Sequence, residues 1–264
     1  MPTVERVVYA VKEESEELSY RATDQYGGKD IALQVSNDVA KGICAKYNYA
    51  IDEILDSLRD CDDLSDRWAV FSHDDVDLVS RKDELDRQLL LMKKRGADIV
   101  VVAGNCEVPP LVPGAWWFGL VSGKFKGSGA VIHKTPNSDM NHMESYGPYP
   151  QQVAAFDGLW VAVNLQTLRD KPELRFDGEV FDGYHYYDAD FSATARALDC
   201  PMWAAGIVVS HNKWGKGMHD PEFTAYQELF ANKWQSRIAN YYSYRPTKSK
   251  VDFVNSTVAF PTQD

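Results

Sequence analysis

Short apolar runs and amphipathic stretches alternate along the first half of the chain. Four runs have the length of buried strands: 6–11, 31–35, 68–71 and 98–103. Between the second and third runs, apolar residues recur at three- and four-residue spacing from Val39 to Leu58, which predicts an amphipathic helix. Asn37 or Asp38 would cap this helix. Residues 82–95 predict another helix, and strands that alternate with helices of this length indicate a parallel sheet covered by helices.

The second half of the chain is less regular. Residues 105–150 are rich in Gly, Pro, Trp and Tyr. Beyond them the pattern predicts strands at 158–163 and 203–209, and helices at 188–198 and after about residue 220. Length and pattern together predict one α/β domain over residues 1–220, followed by a C-terminal helical and loop extension over residues 221–264.

The composition is that of a folded, acidic protein. Hydrophobic residues make up 44% of the 264 residues and charged residues 25%, so we do not expect disorder. The formal net charge of −11 argues against an overall attraction to nucleic acid or to an anionic membrane. No apolar run has the length of a transmembrane segment, and the N-terminal residues lack a signal-peptide pattern. We therefore expect a soluble, cytoplasmic protein whose four scattered cysteines are reduced.

Three carboxylates lie close together where the third predicted strand ends. Residues 73–77, here called the acidic turn, read His-Asp-Asp-Val-Asp, with carboxylates at Asp74, Asp75 and Asp77. Carboxylates this close repel one another, which favours either a bound cation or a hydrated turn that caps a helix. Ligands of parallel α/β sheets bind at the carboxyl ends of the strands. The position therefore favours a site for Mg²⁺ or Mn²⁺, which bridge carboxylates to phosphates.

Two further carboxylates, Asp188 and Asp190, lie where the helix at 188–198 is predicted to begin. The helix dipole favours carboxylates at this end, so capping explains one of them as well as a function does. In the functional interpretation Asp188 is a general base that removes the proton of an acceptor hydroxyl. His211 follows the last apolar run and is a candidate third metal ligand, although a lone histidine is more often a surface or core residue.

Taken together, segments along nearly the whole chain resemble family 2 glycosyltransferases, most closely the branch called glycosyltransferase-like family 2. Each segment is weak by itself, and their order and spacing carry the resemblance. The segments are Val7–Val11, Gly42–Asn48, Phe71–Val76, Trp116-Trp117, Gly129 with Val131 and His133, Phe156–Trp160 and, most specifically, Phe181–Phe191.

The resemblance implies a fold and a reaction. The fold would be α/β of the GT-A (Rossmann-like) type, with a mostly parallel central sheet flanked by helices and a C-terminal extension. Residues 1–104 would form the half that binds the nucleotide sugar, and residues 105–220 the acceptor half. The reaction would be an inverting transfer from a nucleoside diphosphate sugar, with UDP as the implied carrier, assisted by Mn²⁺ or Mg²⁺.

The resemblance also implies roles for individual residues. Asp75 would be the principal metal carboxylate, with Asp77 nearby and His211 completing the site, and Asp188 would be the base. The residues expected around the donor are Ala10, Val11, Asn37, Lys46, Asn48 and Asp74. Those expected to face the sugar or the acceptor are Trp116, Trp117, Asp157, Gly158, Tyr184 and Asp190. Many relatives have Glu immediately before the catalytic Asp, where this chain has Tyr187, and this departure bears on how the base is oriented.

One segment near the C-terminus bears on the acceptor. From 229 to 251 the chain has no acidic residue, and its basic residues are interleaved with tryptophan and tyrosine between 233 and 250. Such a segment can track a phosphate backbone and stack bases, so one hypothesis is transfer to a hydroxymethylated DNA base. Aromatic residues packed on the core with solvated charges outside explain the segment more simply. A polyanionic glycan or a lipid-linked diphosphate satisfies the same charges, and an ordinary glycan is the default acceptor.

Two other classes of function compete with this interpretation. The chain could be a non-catalytic module that binds a sugar nucleotide or a carbohydrate, but Asp75, Asp188 and His211 are all retained, which such a module does not require. A nucleotidyltransferase also places acidic residues and a metal on an α/β sheet. It would need a glycine-rich loop after the first strand to hold phosphates, and residues 11–15 read Val-Lys-Glu-Glu-Ser.

Overall fold

A computed structural model describes residues 2–107, 116, 126–135, 140–212 and 221–234 of the chain. The helices within these residues are α1 (Glu16–Tyr26), α2 (Ile43–Ser57), α3 (Lys82–Lys94), α4 (Leu165–Asp170), α5 (Tyr187–Ala197) and α6 (Pro221–Trp234). The strands are β1 (Thr3–Ala10), β2 (Ala32–Val35), β3 (Arg67–Ser72), β4 (Val76–Leu78), β5 (Ile99–Val101), β6 (Ala103–Asn105), β7 (Gly127–Lys134), β8 (Asn141–Gly147), β9 (Gln151–Val153), β10 (Ala155–Phe156), β11 (Trp160–Asn164), β12 (Met202–Ala204) and β13 (Val209–His211).

The larger of two sheets has seven strands in the order β2-β1-β3-β11-β5-β12-β9. Strand β1 is parallel to β2 and β3, and β12 is parallel to β5. Strand β11 lies antiparallel between β3 and β5, and β9 is antiparallel to β12. Five strands therefore run in one direction and two in the other. The sheet is mixed because the antiparallel strand β11 lies between strands that the sequence predicts to be parallel neighbours. The arrangement is consistent with a Rossmann-like α/β fold.

Side chains of the larger sheet alternate between two cores. In β3, Ala69 and Phe71 pack with residues of α2, α4, α5 and α6, whereas Trp68 and Val70 pack with residues of α1 and α3. Helices thus cover both faces of the sheet. Because helices cover both faces, the central parts of β1, β3, β5 and β11 are apolar at successive positions, which is why they are visible in the sequence as continuous apolar runs.

The smaller sheet has the order β10-β6-β7-β13-β4, and β8 also pairs with β7. Strand β13 is parallel to β7 and antiparallel to β4. Strand β4 begins within the acidic turn, at Val76, and pairs with β13, so this sheet places the turn next to the end of β13. Sequence alone does not predict this sheet, since its pairs join segments that lie far apart in the chain.

Most predicted helices are present, and α2 has a different start. Helices α3, α5 and α6 closely match the predictions, but α2 begins at Ile43 and is preceded by Gly42 rather than by a capping Asn37 or Asp38. Gly42 has φ +77°, and a Cβ there would lie 2.3 Å from the carbonyl oxygen of Asp182. The close approach of these two segments requires glycine and fixes where the helix starts.

Helix α1 and two strand divisions are not predicted by the sequence. Only Leu18, Ala22 and Tyr26 of α1 are buried, one residue per turn, which is too narrow a stripe to stand out in the pattern. The apolar runs at 98–103 and 203–209 each contain two strands, one in either sheet. Both parts of such a run are buried, so apolar character does not mark where the chain leaves one sheet for the other.

The C-terminal helix packs against the rest of the chain. Phe223, Phe230 and Trp234 of α6 are buried in the same core as residues of α2 and α5. None of the described helices combines the length and the apolar character needed to cross a bilayer.

Candidate active site

Two histidines and one carboxylate converge at the carboxyl end of β3. His73 and Asp75 lie in the acidic turn, and His211 ends β13, directly opposite Val76 of β4. The ligand atoms of these three residues all lie within 4.8 Å of one another. His211 Nε2 is 3.6 Å from one Asp75 carboxylate oxygen, and His73 Nδ1 is 4.0 Å from the other. We call His73, Asp75 and His211 the metal triad, because their ligand atoms are near enough to bind one ion.

The donor set of the metal triad discriminates between metals. Imidazole nitrogen suits transition-metal ions such as Zn²⁺ and Fe²⁺, and Mn²⁺, although it favours oxygen ligands, is the transition-metal ion of the two, whereas Mg²⁺ prefers an all-oxygen shell. Of the two ions that the sequence favours, Mn²⁺ therefore fits these residues better. The sequence predicts Asp75, Asp77 and His211 as ligands but not His73. Its position two residues before Asp75 in the same short turn is the signal that could have indicated it.

A buried tyrosine holds His73 in place. The Tyr187 hydroxyl lies 2.6 Å from His73 Nε2, which leaves Nδ1 on the side of Asp75. Tyr187 is itself fixed by ring contacts with Tyr47 and Phe176. Burial lowers the pKa of His73, and the Asp75 carboxylate acts in the opposite direction. A neutral imidazole whose second nitrogen is hydrogen-bonded is the usual form of a metal-binding histidine.

Asp77 lies on the other face of the smaller sheet. It is opposite Ser210 in the pairing of β4 with β13, whereas Val76 is opposite His211, so strand alternation directs Asp77 away from the metal triad. Its carboxylate accepts a hydrogen bond from Asn212 at 2.5 Å and lies 3.2 Å from the Arg21 guanidinium. The structure therefore does not bring Asp77 together with the triad but uses it to join α1, β4 and the end of β13.

Asp188 lies in the first turn of α5, and two backbone N–H groups hold its carboxylate. The Gly158 N–H donates to one oxygen at 3.1 Å and the Ala189 N–H to the other at 2.8 Å. Burial raises the pKa of Asp188 to about 7, and the charge of Asp157 contributes in the same direction. Proton transfer is most efficient when the pKa of the base is near the working pH. Asp188 therefore has the environment of a general base, whereas a helix cap alone needs no raised pKa.

Gly158 allows the segment before β11 to lie directly on the start of α5. A Cβ at this position would be 2.4 Å from the Tyr187 hydroxyl and 2.8 Å from the Asp188 Cβ. Both atoms belong to groups that the site uses, because Tyr187 holds His73 and Asp188 is the candidate base. Sequence analysis places Gly158 beside the sugar, and the structure gives it this packing role.

The charge of Asp157 acts both on the metal triad and on Asp188. Its negative charge raises the pKa of His73 on one side and the pKa of Asp188 on the other. Its own carboxylate accepts a hydrogen bond from the Leu159 N–H at 3.1 Å. The contact of Asp157 with a sugar stays a prediction.

Three of the residues predicted to surround the nucleoside are in contact. The Lys46 ammonium is buried and donates to the Val11 carbonyl and, at 2.8 Å, to the Asn37 side chain. Burial lowers the pKa of Lys46, and the charge of Asp74 opposes this effect. Ala10 ends β1 beside this group.

Asn48 has a structural role instead. Its side-chain amide donates to the Phe176 carbonyl at 2.7 Å, and its oxygen accepts from the Phe176 N–H at 3.0 Å. These two bonds hold the segment that leads toward α5, and they use both ends of the amide. Val11, Asn37 and Lys46 are therefore bonded to one another, whereas Asn48 is bonded to Phe176.

The aromatic residues predicted to face the sugar are distributed differently. Trp116 is buried, and its ring packs edge-on against Tyr146 at 5.0 Å between centroids. Trp117 lies outside the described residues. Tyr184 is exposed and lies three residues before the first residue of α5, and its contact with a ligand stays a prediction.

Asp190 joins α5 to α6. It is fully buried, and its two oxygens accept hydrogen bonds at 2.8 Å from the Lys233 ammonium and the Trp234 indole N–H. Lys233 also donates to Asp177 at 2.6 Å. Burial raises the pKa of Asp190, and the hydrogen bond from Lys233 opposes this effect. These contacts give Asp190 a structural role between α5 and α6, and its contact with an acceptor stays a prediction.

Replacement of Asp190 by alanine is expected to lower the free energy of unfolding by about 3 kcal/mol, because it leaves a half-buried ammonium and a buried indole N–H without this acceptor. Chemical denaturation followed by tryptophan fluorescence measures the change. Asp182→Ala is the control, since Asp182 also contacts α6, through the Tyr226 hydroxyl, but is exposed. It should cost less than about 1 kcal/mol. Equal losses of unfolding free energy in the two variants would mean that the burial of Asp190 does not add to its contribution to stability.

The basic segment at 233–250 is described only in its first two residues. Lys233 and Trp234 are both bonded to Asp190, so neither is available to a phosphate backbone in this arrangement. The rest of the segment lies outside the described residues. For these two positions the structure supports the simpler explanation, in which this segment packs against the core.

Known proteins give little to identify the chain. No family model and no curated protein sequence matches it. Among solved structures, A197 from STIV is 10% identical, with a TM-score of 0.40 over 78% of this chain and 81% of that one. A CMP:2-keto-3-deoxy-manno-octonic acid synthetase in complex with CTP is 10% identical, with a TM-score of 0.33 over 88% of this chain and 99% of that one. Mouse xyloside xylosyltransferase 1 is 10% identical, with a TM-score of 0.32 over 87% and 94%. TM-scores of this size do not establish a common fold.

Proposed function

We propose that this chain is an inverting glycosyltransferase that moves a sugar from a nucleoside diphosphate sugar to an acceptor hydroxyl. One observation carries the proposal: the metal triad and a carboxyl group with a pKa of about 7 share one site. They are connected through the hydrogen bond between His73 and Tyr187, the residue that directly precedes Asp188. A transfer with a diphosphate leaving group needs a cation at one end and a base at the other.

The metal triad would hold the divalent ion. When bound, the ion supplies positive charge that stabilises the departing diphosphate. Tyr187 orients His73, and the hydrogen bond from Asn212 to Asp77 fixes the chain immediately after His211. Asp77, which the resemblance places near the metal, contributes in this proposal by holding the end of β13.

Asp188 would accept the proton of the acceptor hydroxyl. A single displacement by that hydroxyl inverts the anomeric carbon and needs one base, so the second carboxylate, Asp157, is free to bind sugar hydroxyls and to keep the pKa of Asp188 high. A module that only binds carbohydrate has no use for a carboxyl group that titrates near pH 7. This favours the enzyme over the non-catalytic alternative.

The nucleoside of the donor would lie near Lys46. The group formed by Val11, Asn37 and Lys46 is at the carboxyl ends of β1 and β2, the edge at which α/β sheets bind ligands. UDP as the carrier rests on the family resemblance. The acceptor class proposed here is a hydroxyl compound, with a glycan as the default, because Lys233 and Trp234 are engaged with Asp190.

A thermal-shift panel tests the proposal. UDP-, GDP- and dTDP-sugars are each added with Mn²⁺, Mg²⁺ or EDTA, and the melting temperature is compared with that in metal alone. A ligand at 100 times its Kd stabilises the folded state by about 2.7 kcal/mol, so a bound donor gives a clear increase. We expect the largest increase for a UDP-sugar with Mn²⁺ and none in EDTA. If no sugar nucleotide stabilises the protein with any metal, the proposed donor site is wrong.

A further inference from the structure

Histidines lie side by side across three strands of the smaller sheet. His211 of β13 is directly opposite His133 of β7, and His133 is directly opposite His142 of β8. The ring centroids are 5.7 Å apart in the first pair and 5.6 Å apart in the second. All three side chains therefore lie on one face of the sheet, and the row starts at the metal triad, of which His211 is a member.

The far end of this row has the same components as the metal triad. In the triad, the rings of His73 and His211 are 6.1 Å apart and His211 Nε2 is 3.6 Å from an Asp75 oxygen. At the far end, the rings of His133 and His142 are 5.6 Å apart and His133 Nε2 is 3.6 Å from an oxygen of Glu144. Each group thus has two imidazoles and one carboxylate at similar spacing.

Glu144 and His142 project from the same face of β8, two residues apart. The Tyr146 hydroxyl donates to Glu144 at 3.1 Å and lies 3.4 Å from His133 Nε2, while its ring packs against Trp116. Metal-binding carboxylates and histidines are usually fixed by outer partners of this kind. Tyr146 is positioned as such a partner.

We propose that His133, His142 and Glu144 form a second binding site for a divalent transition-metal ion, next to the metal triad. Two imidazoles with one carboxylate suit Zn²⁺ and Co²⁺ and are poor ligands for Mg²⁺ and Ca²⁺. The site stands on strand register and side-chain geometry alone. It requires neither the nucleotide sugar nor the transfer reaction proposed above.

One side chain must turn for the ion to bind. Among the described residues, only the metal triad already has all its ligand atoms within 4.8 Å of one another. His133 and Glu144 are in contact, and His142 is exposed at the directly opposite position. The Cβ atoms of directly opposite residues are about 5 Å apart, so rotation of His142 brings its ring to the ion without a change in the backbone.

The number of ions bound per chain tests the proposal. Untagged full-length protein, free of added nucleotide, is dialysed to equilibrium against Zn²⁺ and, in parallel, Co²⁺, and bound metal is counted. We expect two ions in the wild type and one in His142→Ala or Glu144→Gln, with the affinity for the lost ion reduced more than about tenfold. Asp75→Asn should also bind one, and Asp75→Asn combined with His142→Ala none. Met143→Ala is the matched control, since Met143 is exposed on the opposite face of β8 and should keep both ions.

Two results would overturn the second site. One is a wild type that binds a single ion which Asp75→Asn removes, because the metal triad then accounts for all binding. The other is a His142→Ala and a Glu144→Gln protein that still bind two ions each, which places the second ion elsewhere. Circular dichroism melting in EDTA shows whether each variant is folded before metal is counted, and Glu144→Gln provides the test if His142→Ala is not.

Discussion

Replacement of Asp188 by asparagine is expected to lower turnover by about 10²- to 10⁴-fold and to leave donor binding unchanged, because the amide cannot accept the proton of an acceptor hydroxyl. The effect is measured as the rate of nucleotide release with saturating donor, alongside the donor affinity from calorimetry. Asp188 contacts the Gly158 and Ala189 N–H groups and not the metal triad, so its role separates cleanly from metal binding.

Asp182→Asn is the control for this experiment, because Asp182 is an exposed carboxylate of the same segment and should retain turnover. If Asp188→Asn weakened donor binding as strongly as it lowered turnover, Asp188 would be a structural residue and the proposed base would be lost.

The same carboxyl group sets the expected pH dependence. Burial and Asp157 raise the pKa of Asp188 to about 7, and only the ionised form accepts a proton, so turnover should increase as the pH rises through about 7. The protonated form favours folding, because a carboxyl with a raised pKa stabilises the folded state at low pH and loses this contribution as the pH rises through about 7. Stability and turnover should therefore change in opposite directions, and Asp188→Asn should remove this inflection from both profiles.

Replacement of Asp75 by alanine is expected to abolish metal-dependent donor binding. Asp75 supplies the only carboxylate of the metal triad, and removal of a ligand should weaken metal binding by more than about 100-fold, since outer-shell changes already cost 10- to 100-fold. Calorimetric titration of Mn²⁺ and then of a UDP-sugar measures both effects. Unchanged metal dependence would show that the triad does not hold the catalytic ion.

Asp77→Asn is the matched control for Asp75→Ala. Asp77 faces Arg21, Gln25 and Asn212 on the opposite side of the smaller sheet, so we expect metal affinity to stay within about threefold of wild type. Loss of metal binding equal to that of Asp75→Ala would instead support the role that the family resemblance gives to Asp77.

Local pattern was sufficient for much of the fold. Periods of three to four residues predict α3, α5 and α6, and continuous apolar runs predict the strands of the larger sheet other than β9, because helices cover both faces of that sheet. The position of Asp75 after an apolar strand and of Asp188 at a helix start also follows from local order. These features depend on which residues are neighbours along the chain, and that order can be read directly from the sequence.

The tertiary structure alone decides which of those residues meet. Asp75 and Asp77 are two apart, and only the pairing of β4 with β13 shows that Asp77 lies on the face away from His211, whose imidazole lies beside Asp75. Asp188 and Asp190 are also two apart, and only the packing of α6 assigns Asp190 to Lys233 and Trp234.

The electrostatics of the site follow from the same long-range contacts. Burial raises the pKa of Asp188 to about 7, and the charge of Asp157, which belongs to a distant segment, acts in the same direction. The row from His211 to His142 exists only through strand register. The sequence by itself therefore determined most helices, most strands of the larger sheet and most candidate residues, because these depend on local spacing. Register and burial determined the site, because they depend on which distant segments pair.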